Sequence, residues 1–416
     1  MRILHTSDWH LGHSLHKVTR DYEHECFLAW LLDTLEGEAA DALLIAGDIF
    51  DSANPPATAL ATFYRFLADA RHRMPRLDIV VVAGNHDSPA RLEAPGPLME
   101  AIGVHVVGTV SRGPDGAVDA DSLLFPLHDH CGAIKAWCAA VPFLRPADLP
   151  LVTVETETVD PLLEGVRQLY AVVVDTARHR LEPGQALLAM GHCYLVGTQV
   201  SELSERKILG GNQHALPADI FPANVSYAAL GHLHRPQPLD GGRLRYSGSP
   251  LPLSFAEEGY PHQVVRVDFV DGHFTEAKAL LVPRTVALLR LPAAGPRPLE
   301  EVVRELREYP WDEQLSPAVH PFLEVSVLLP SPEPGLRRRL EEVLEGRPVR
   351  LLNIVPHTPG DAGALADTLP ELRLDSIAPD VVFSRRYHQI HDTDPPPPLM
   401  EAFHELLETV HQQDVP

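Results

Sequence analysis

Along the first half of the chain, short apolar runs alternate with longer stretches of helical spacing, and most of the apolar runs stop at a glycine followed by polar groups. Arg2 to Thr6 reads as a strand that gives way to Ser7-Asp8-Trp9-His10-Leu11-Gly12. From Lys17 to Leu35, the residues Tyr22, Cys26, Phe27, Trp30, Leu31 and Leu35 recur at helical spacing, which predicts a core-facing stripe. Asp41 to Ala46 is the next buried strand, ending in Gly47-Asp48-Ile49-Phe50-Asp51, and a helix over Ala57 to Arg73 follows with Leu60, Phe63, Tyr64 and Leu67 on one face. Ile79 to Val82 is a further strand, running into Ala83-Gly84-Asn85-His86-Asp87. The pattern then predicts a helix over Arg91 to Ile102, a strand over Val104 to Val107 and a turn-rich surface excursion over Ser111 to Asp121, and up to Leu181 it assigns no chemistry. Strands resume at Ala186 to Met190, ending in Gly191-His192, and at Val225 to Leu230, ending in Gly231-His232-Leu233-His234. Strands alternating with helices in this order predict an α/β fold.

Past Pro283 the glycine-and-polar device stops, which predicts a principal domain over 1–283, a smaller one over 284–356 and a C-terminal segment over 357–416. In the middle region Val286 to Leu291, the face Leu299, Val302, Val303 and Leu306, the alternation Leu323, Val325, Val327 and Leu329, the face Leu336, Leu340, Val343 and Leu344, and Val349 to Val355 spell βαβαβ. No phosphate-binding glycine loop accompanies it, so by its residues alone it reads as a small packing domain. After the Pro/Gly linker Pro356 to Gly363, a helix opened by Pro379 aligns Val382, Tyr387 and Ile390, and Pro395 to Pro398 must break it. A second helix over Leu399 to His411 carries the stripe Leu399, Phe403, Leu406, Leu407 and Val410. Such a stripe has to be covered, by the rest of the chain or by a partner.

The 416 residues, 45% of them hydrophobic, suffice for two or three cores. No apolar run reaches the roughly 18 residues of a spanning helix and no secretory signal opens the chain, so no membrane is expected and the chain reads as cytoplasmic. Cys26, Cys131, Cys138 and Cys193 are scattered and predict free thiols. A formal net charge of −23 argues against holding nucleic acid by global attraction.

With 23 histidines in the chain, only clusters at strand ends carry weight. Asp8, His10, Asp48, Asn85, His192, His232 and His234 all stand just beyond apolar strands, and His232 and His234, two apart, share one side of an extended backbone. Mixed carboxylate, amide and imidazole donors without thiolate suit manganese- or iron-like ions in an open, catalytic site. The set is too large for one ion that keeps a position for water and fits two ions sharing a carboxylate, which predicts hydrolysis of phosphate esters or amides. His86, beside a ligand, is the candidate general acid, with Asp87 placed to orient it.

These motifs, DxH, GD, GNHD, GH and GHxH in this order, resemble the calcineurin-like metallophosphoesterases. His5-Thr6-Ser7-Asp8-Trp9-His10-Leu11-Gly12, Gly47-Asp48-Ile49-Phe50-Asp51 and Ser247-Gly248-Ser249-Pro250-Leu251-Pro252-Leu253-Ser254-Phe255 resemble, more narrowly, the SbcD family of bacterial nuclease subunits, over nearly the whole chain. The resemblance implies a β-sandwich flanked by helices, with one ion on Asp8, His10, Asp48 and His234 and the other on Asp48, Asn85, His192 and His232, Asp48 bridging. It leaves Asp51, where other relatives carry a histidine, outside the catalytic set. It further implies a Mn2+-dependent exonuclease and endonuclease on DNA ends and hairpins, a cap formed by the second domain, and an SbcC-like ATPase partner bound by the C-terminal helices. A homodimer through the helices at Ala57 to Arg73 and Arg91 to Ile102 is also implied. The acidic charge keeps a phosphodiesterase or phosphatase on nucleotides or phosphoproteins as the alternative, and a non-catalytic scaffold as a third class.

Overall fold

A computed structural model describes residues 1–150, 160–199, 215–331 and 333–358, together with Tyr387, Pro396, Leu399, Met400 and Phe403. Residues 1–326 with 335–355 form one compact unit, and 327–334 with 356–416 another. Among the described residues no helix is long and apolar enough to cross a membrane, and all four cysteines are free. The two C-terminal helices expected after Gly363 lie outside the described residues, apart from those isolated positions.

Residues 1–281 hold two six-stranded sheets. The first runs His273–Leu281, Gln263–Val270, Arg2–Thr6, Ala42–Ala46, Asp78–Val82, Val104–Val107, and the last four are mutually parallel. The second runs Gln237–Leu239, Leu244–Tyr246, Tyr227–Gly231, Ala186–His192, Ile134–Ala140, Leu124–His128, with a parallel interior. Strand side chains alternate between faces, and the first sheet divides accordingly. Ile3, Leu44, Val80 and Val82 join the core shared with Leu187, Ala189 and Tyr227 of the second sheet. Leu4, Leu43, Ile45, Ile79 and Val81 face the helices, where Phe27, Leu31, Phe63 and Phe66 cover them together with Trp9 of the loop after the first strand. Strands buried on both faces read as continuous apolar runs, which is why these were legible.

Several elements depart from the expected ones. The helix expected from Lys17 starts at Asp21 and ends at Gly37, after a short hairpin. Its buried face carries Glu23 and His24, while Tyr22 is 47% exposed. Polar partners make that possible: Arg20 Nε donates to Glu23 at 2.7 Å, and His24 Nε2 donates to the Trp9 carbonyl at 3.0 Å. The helix expected over Arg91 to Ile102 is two short ones, Pro89–Glu93 and Gly96–Ala101, because Pro95 and Pro97 cannot supply the amide hydrogens of a continuous helix. Between Asp121 and Leu181, where the pattern assigns no chemistry, the described residues include the strands Leu124–His128 and Ile134–Ala140 and the helix Pro161–Arg180, whose N-terminus Asp160 caps by accepting from the Leu162 amide at 2.9 Å.

The βαβαβ region builds its own four-stranded sheet, with Phe322–Leu328 paired to Leu288–Leu291, Arg297–Pro298 and Arg350–His357. Leu299, Val302, Val303 and Leu306 of one helix and Leu340 and Leu344 of the other are buried.

His5 is fully buried between the sheets, its Nδ1 3.0 Å from the Tyr227 hydroxyl. Burial pushes its imidazole down to about 3 from 6.5. A folded-state value below the unfolded one means that the contribution of His5 is complete above about pH 6.5 and is lost as pH falls toward 3. The metal-free chain should therefore lose stability on acidification through pH 6, by up to about 1.4 kcal/mol per pH unit for this one proton. In urea titrations His5→Gln should show a shallower slope between pH 6.5 and 5, and an unchanged slope would contradict the assignment.

Candidate metal centre

The strands Arg2–Thr6, Ala42–Ala46 and Asp78–Val82 of one sheet and Ala186–His192 and Tyr227–Gly231 of the other all point their carboxyl ends at one edge of the sandwich. Ligand sites in open parallel sheets lie at that edge. Asp8, His10, Asp48, Asn85, His192, His232 and His234 are delivered there, so the structure brings together every residue expected as a donor. His192 is the last residue of its strand and not a loop residue. Asp8, His10, Asp48 and His232 have φ of 55°, 47°, 50° and 99°, a left-handed backbone that side chains with a Cβ rarely adopt.

The recurrent glycines have a steric cause. A Cβ on Gly231 would overlap the Ala46 carbonyl oxygen, one on Gly84 the Asp48 carboxylate, and one on Gly47 the His192 imidazole. The sheets approach at this edge more closely than any side chain permits.

Asn85 Oδ1 lies 3.0 Å from His192 Nε2 and 3.0 Å from His232 Nδ1, and His192 Nε2 is 3.3 Å from Asp48 Oδ2. His192 Nδ1 donates to the Ala46 carbonyl at 2.8 Å, which makes Nε2 the nitrogen directed into the cluster. On the other side Asp8, His10 and His234 each place a donor atom within 4.8 Å of the others, as do His10, Asp48 and His86, and Asp8, Asp48 and His192. The Asp8 carboxylate accepts from the His232 amide at 3.0 Å and from the Ser7 hydroxyl at 2.5 Å. Burial lowers the His10 imidazole, and burial with His192 nearby pushes His232 down to about 3. For His192 burial acts in the same sense, but the Asp48 charge outweighs it and holds the imidazole up at about 9. Burial would raise Asp48, yet the imidazoles of His192 and His10 keep it well below the usual carboxylate range.

His86 and Asp87 do not interact as expected. Asp87 turns back and accepts from the amides of Gly84 at 2.8 Å, Phe50 at 2.9 Å and Ile49 at 3.2 Å, stapling one ligand loop to another. His86 Nδ1 donates instead to the Asp51 carbonyl at 2.9 Å, and its amide donates to Asp48 Oδ1 at 2.8 Å. Adjacent side chains diverge, so neighbours in sequence serve different partners. Asp51 also sets its carboxylate 3.0 Å from His13 Nδ1 and 3.4 Å from His10 Nδ1. Glu257, which sequence reasoning passed over, is buried with Oε1 2.8 Å from His234 Nδ1. Its only signal in the sequence is its place just after the Ser-Gly-Ser-Pro stretch.

The residues fit divalent cations. His10 Nε2, which faces Asp48, is buried without a hydrogen bond, a cost that a coordinated ion would remove. Two carboxylates, an amide oxygen and imidazoles are the donor set of hard-to-borderline ions.

A family profile described as calcineurin-like phosphoesterase matches residues 1–236, and one described as type 5 capsule protein repressor C-terminal domain matches 284–391. The chain is 42% identical to the SbcD component of the SbcCD nuclease of Rhodobacter capsulatus, over 93% of its length and 94% of that protein. It is 32% identical to the Escherichia coli K12 protein of the same name, over 93% and 92%. The Bacillus subtilis one is 36% identical over 71% of this chain and 73% of its own length.

Because backbone oxygen and not a mobile side chain meets the Cβ at position 231, Gly231→Ala should destabilise the chain by about 1–3 kcal/mol or more. A urea midpoint equal to wild type would show that the sheets can separate at this edge without cost.

Proposed function

The chain belongs to the calcineurin-like phosphoesterases and, within them, to the SbcD family of SbcCD nuclease components, and from that membership we propose that it is the DNA-cleaving subunit of a two-protein nuclease. The observation that carries this reading is the match along nearly the full length of both proteins; the seven donors that converge at one edge of the sandwich support it. Asp8, His10, Asp48 and His234 would hold one divalent ion, and Asp48, Asn85, His192 and His232 the other, with Asp48 common to both. Mn2+ suits this mixture of oxygen and nitrogen donors. Bound ions would neutralise phosphate oxygens and make water a nucleophile near neutral pH.

The remaining chemistry falls to the chain. With Nδ1–H donated to the Asp51 carbonyl, His86 has Nε2 left to carry a proton to the departing sugar oxygen. The same imidazole belongs to a group able to hold a cation with His10 and Asp48, so metal content and turnover have to be measured together. The net charge of −23 makes the isolated chain a weak, salt-sensitive DNA binder. Affinity then comes from the ions and from an SbcC-like ATPase, which we place on the C-terminal segment 357–416. A homodimer through the helix Ala57–Arg73 and the pair of helices that follows completes the assembly. The cytoplasm is its proposed compartment.

The function is tested by Mn2+-dependent cleavage of a DNA hairpin, with and without the ATPase, against hydrolysis of small phosphate esters. Turnover of the small esters with the hairpin left intact under both conditions would transfer the chain to the phosphodiesterase reading. Metal analysis after dialysis should find two ions in the wild type and neither in Asp48→Ala. His86→Ala should keep both ions and lose about a hundred- to ten-thousand-fold in turnover, with partial rescue by a substrate whose leaving group needs no proton. Loss of an ion along with activity would make His86 a ligand instead.

A further inference from the structure

We propose that Glu257 is a positioning residue for His234, fixing the tautomer and direction of that imidazole and raising its affinity for the cation it holds. The inference rests on the reading of His234 as a ligand. Glu257 closes the short helical turn Phe255–Glu257 and is 0% exposed. Ionised carboxylates are almost never buried so completely without a partner, because desolvation is costly.

Its two oxygens have distinct tasks. Oε1 is 2.8 Å from His234 Nδ1, and Oε2 accepts from the Leu253 amide at 2.7 Å. A carboxylate only accepts, so the proton of His234 is on Nδ1 and the lone pair is on Nε2. His192, by contrast, is oriented by the neutral carbonyl of Ala46. A charged acceptor makes the opposite nitrogen more basic, and loss of such an outer carboxylate typically costs about 10–100-fold in metal affinity.

The position of the carboxylate is itself determined from both sides. The Leu253 carbonyl lies 3.1 Å from His13 Nε2, and the Pro252 carbonyl accepts from buried Arg20. Arg20 lies 5.9 Å from the centroid of the Phe322 ring, which belongs to the βαβαβ region. Phe255, in the same turn as Glu257, packs with Leu15, Val286, Leu288 and Phe322. Glu257 is thus held by well-packed main chain, as a group that aims another side chain must be.

Mn2+ titration calorimetry on the metal-free full-length chain tests this, with wild type, Glu257→Gln, His234→Ala and the double variant. Glutamine keeps the shape and removes the charge. Glu257→Gln should weaken one of the two Mn2+ sites about tenfold or more and leave the other unchanged, with hairpin cleavage restored at saturating Mn2+. Because Glu257 acts through His234, the double variant should bind Mn2+ no worse than His234→Ala alone. Full additivity, equal weakening of both sites, or unchanged affinity in Glu257→Gln would overturn the proposal. If Glu257→Gln does not fold, Glu257→Asp, which withdraws the carboxylate from His234 while keeping its charge, is measured with the same expectation. A wild type that binds fewer than two ions, or a His234→Ala chain that keeps both at full affinity, would instead overturn the ligand assignment on which the proposal rests.

Discussion

The hydrogen bond from His192 Nδ1 to the Ala46 carbonyl, 2.8 Å long, joins the carboxyl edge of one sheet to that of the other, and the geometry of the centre depends on it. It forms only because Gly47 and Gly231 carry no side chain where the sheets converge. Once the edges are this close, Asn85 from the first sheet can meet both His192 and His232 from the second at 3.0 Å. A sandwich held further apart would leave donors on each sheet with no common point.

Closeness has an electrostatic consequence. Asp8, Asp48 and Asp87 are all buried within this edge, and each is accommodated differently. Asp48 is stabilised as an anion by the imidazoles around it. Asp8 is held by an amide and a hydroxyl. Asp87 receives three backbone amides, yet burial and the neighbouring Asp48 charge still raise it to about 6. Concentrating negative potential in this way makes an edge that attracts divalent cations, in a chain whose charge of −23 repels polyanions. Cations bound there would reverse the sign of the potential where a phosphate has to arrive.

The βαβαβ region is tied to the principal domain by contacts that reach toward the centre. Phe322 lies 5.9 Å from the Arg20 guanidinium and 4.2 Å from that of Arg350, ring centroid to carbon. Arg20 pairs with Glu23 and donates to Pro252, so one buried cation connects a helix, the turn behind His234 and the small four-stranded sheet. Buried ion pairs contribute little net stability but specify one arrangement when every partner is satisfied. The place of this pair, at the seam between two sheets, agrees with such a role.

By itself the sequence determined the order of strands and helices, the α/β class and the list of polar residues that end the strands. Those features are local. The apolar runs 42–46 and 79–82 are buried on both faces, and the glycines at 47 and 84 leave room for the side chains of His192 and Asp48. Local spacing also misled where polar side chains share a buried face, as Glu23 and His24 do, and where Pro95 and Pro97 divide an apparently continuous helix. Only the tertiary structure decided which polar group meets which. Asp87 serves backbone amides and not His86, His86 serves the Asp51 carbonyl, and Glu257 reaches His234 across 23 positions of sequence. Periodicity records that a side chain is buried; its partner is set by the packing of two sheets whose contacts lie far apart along the chain.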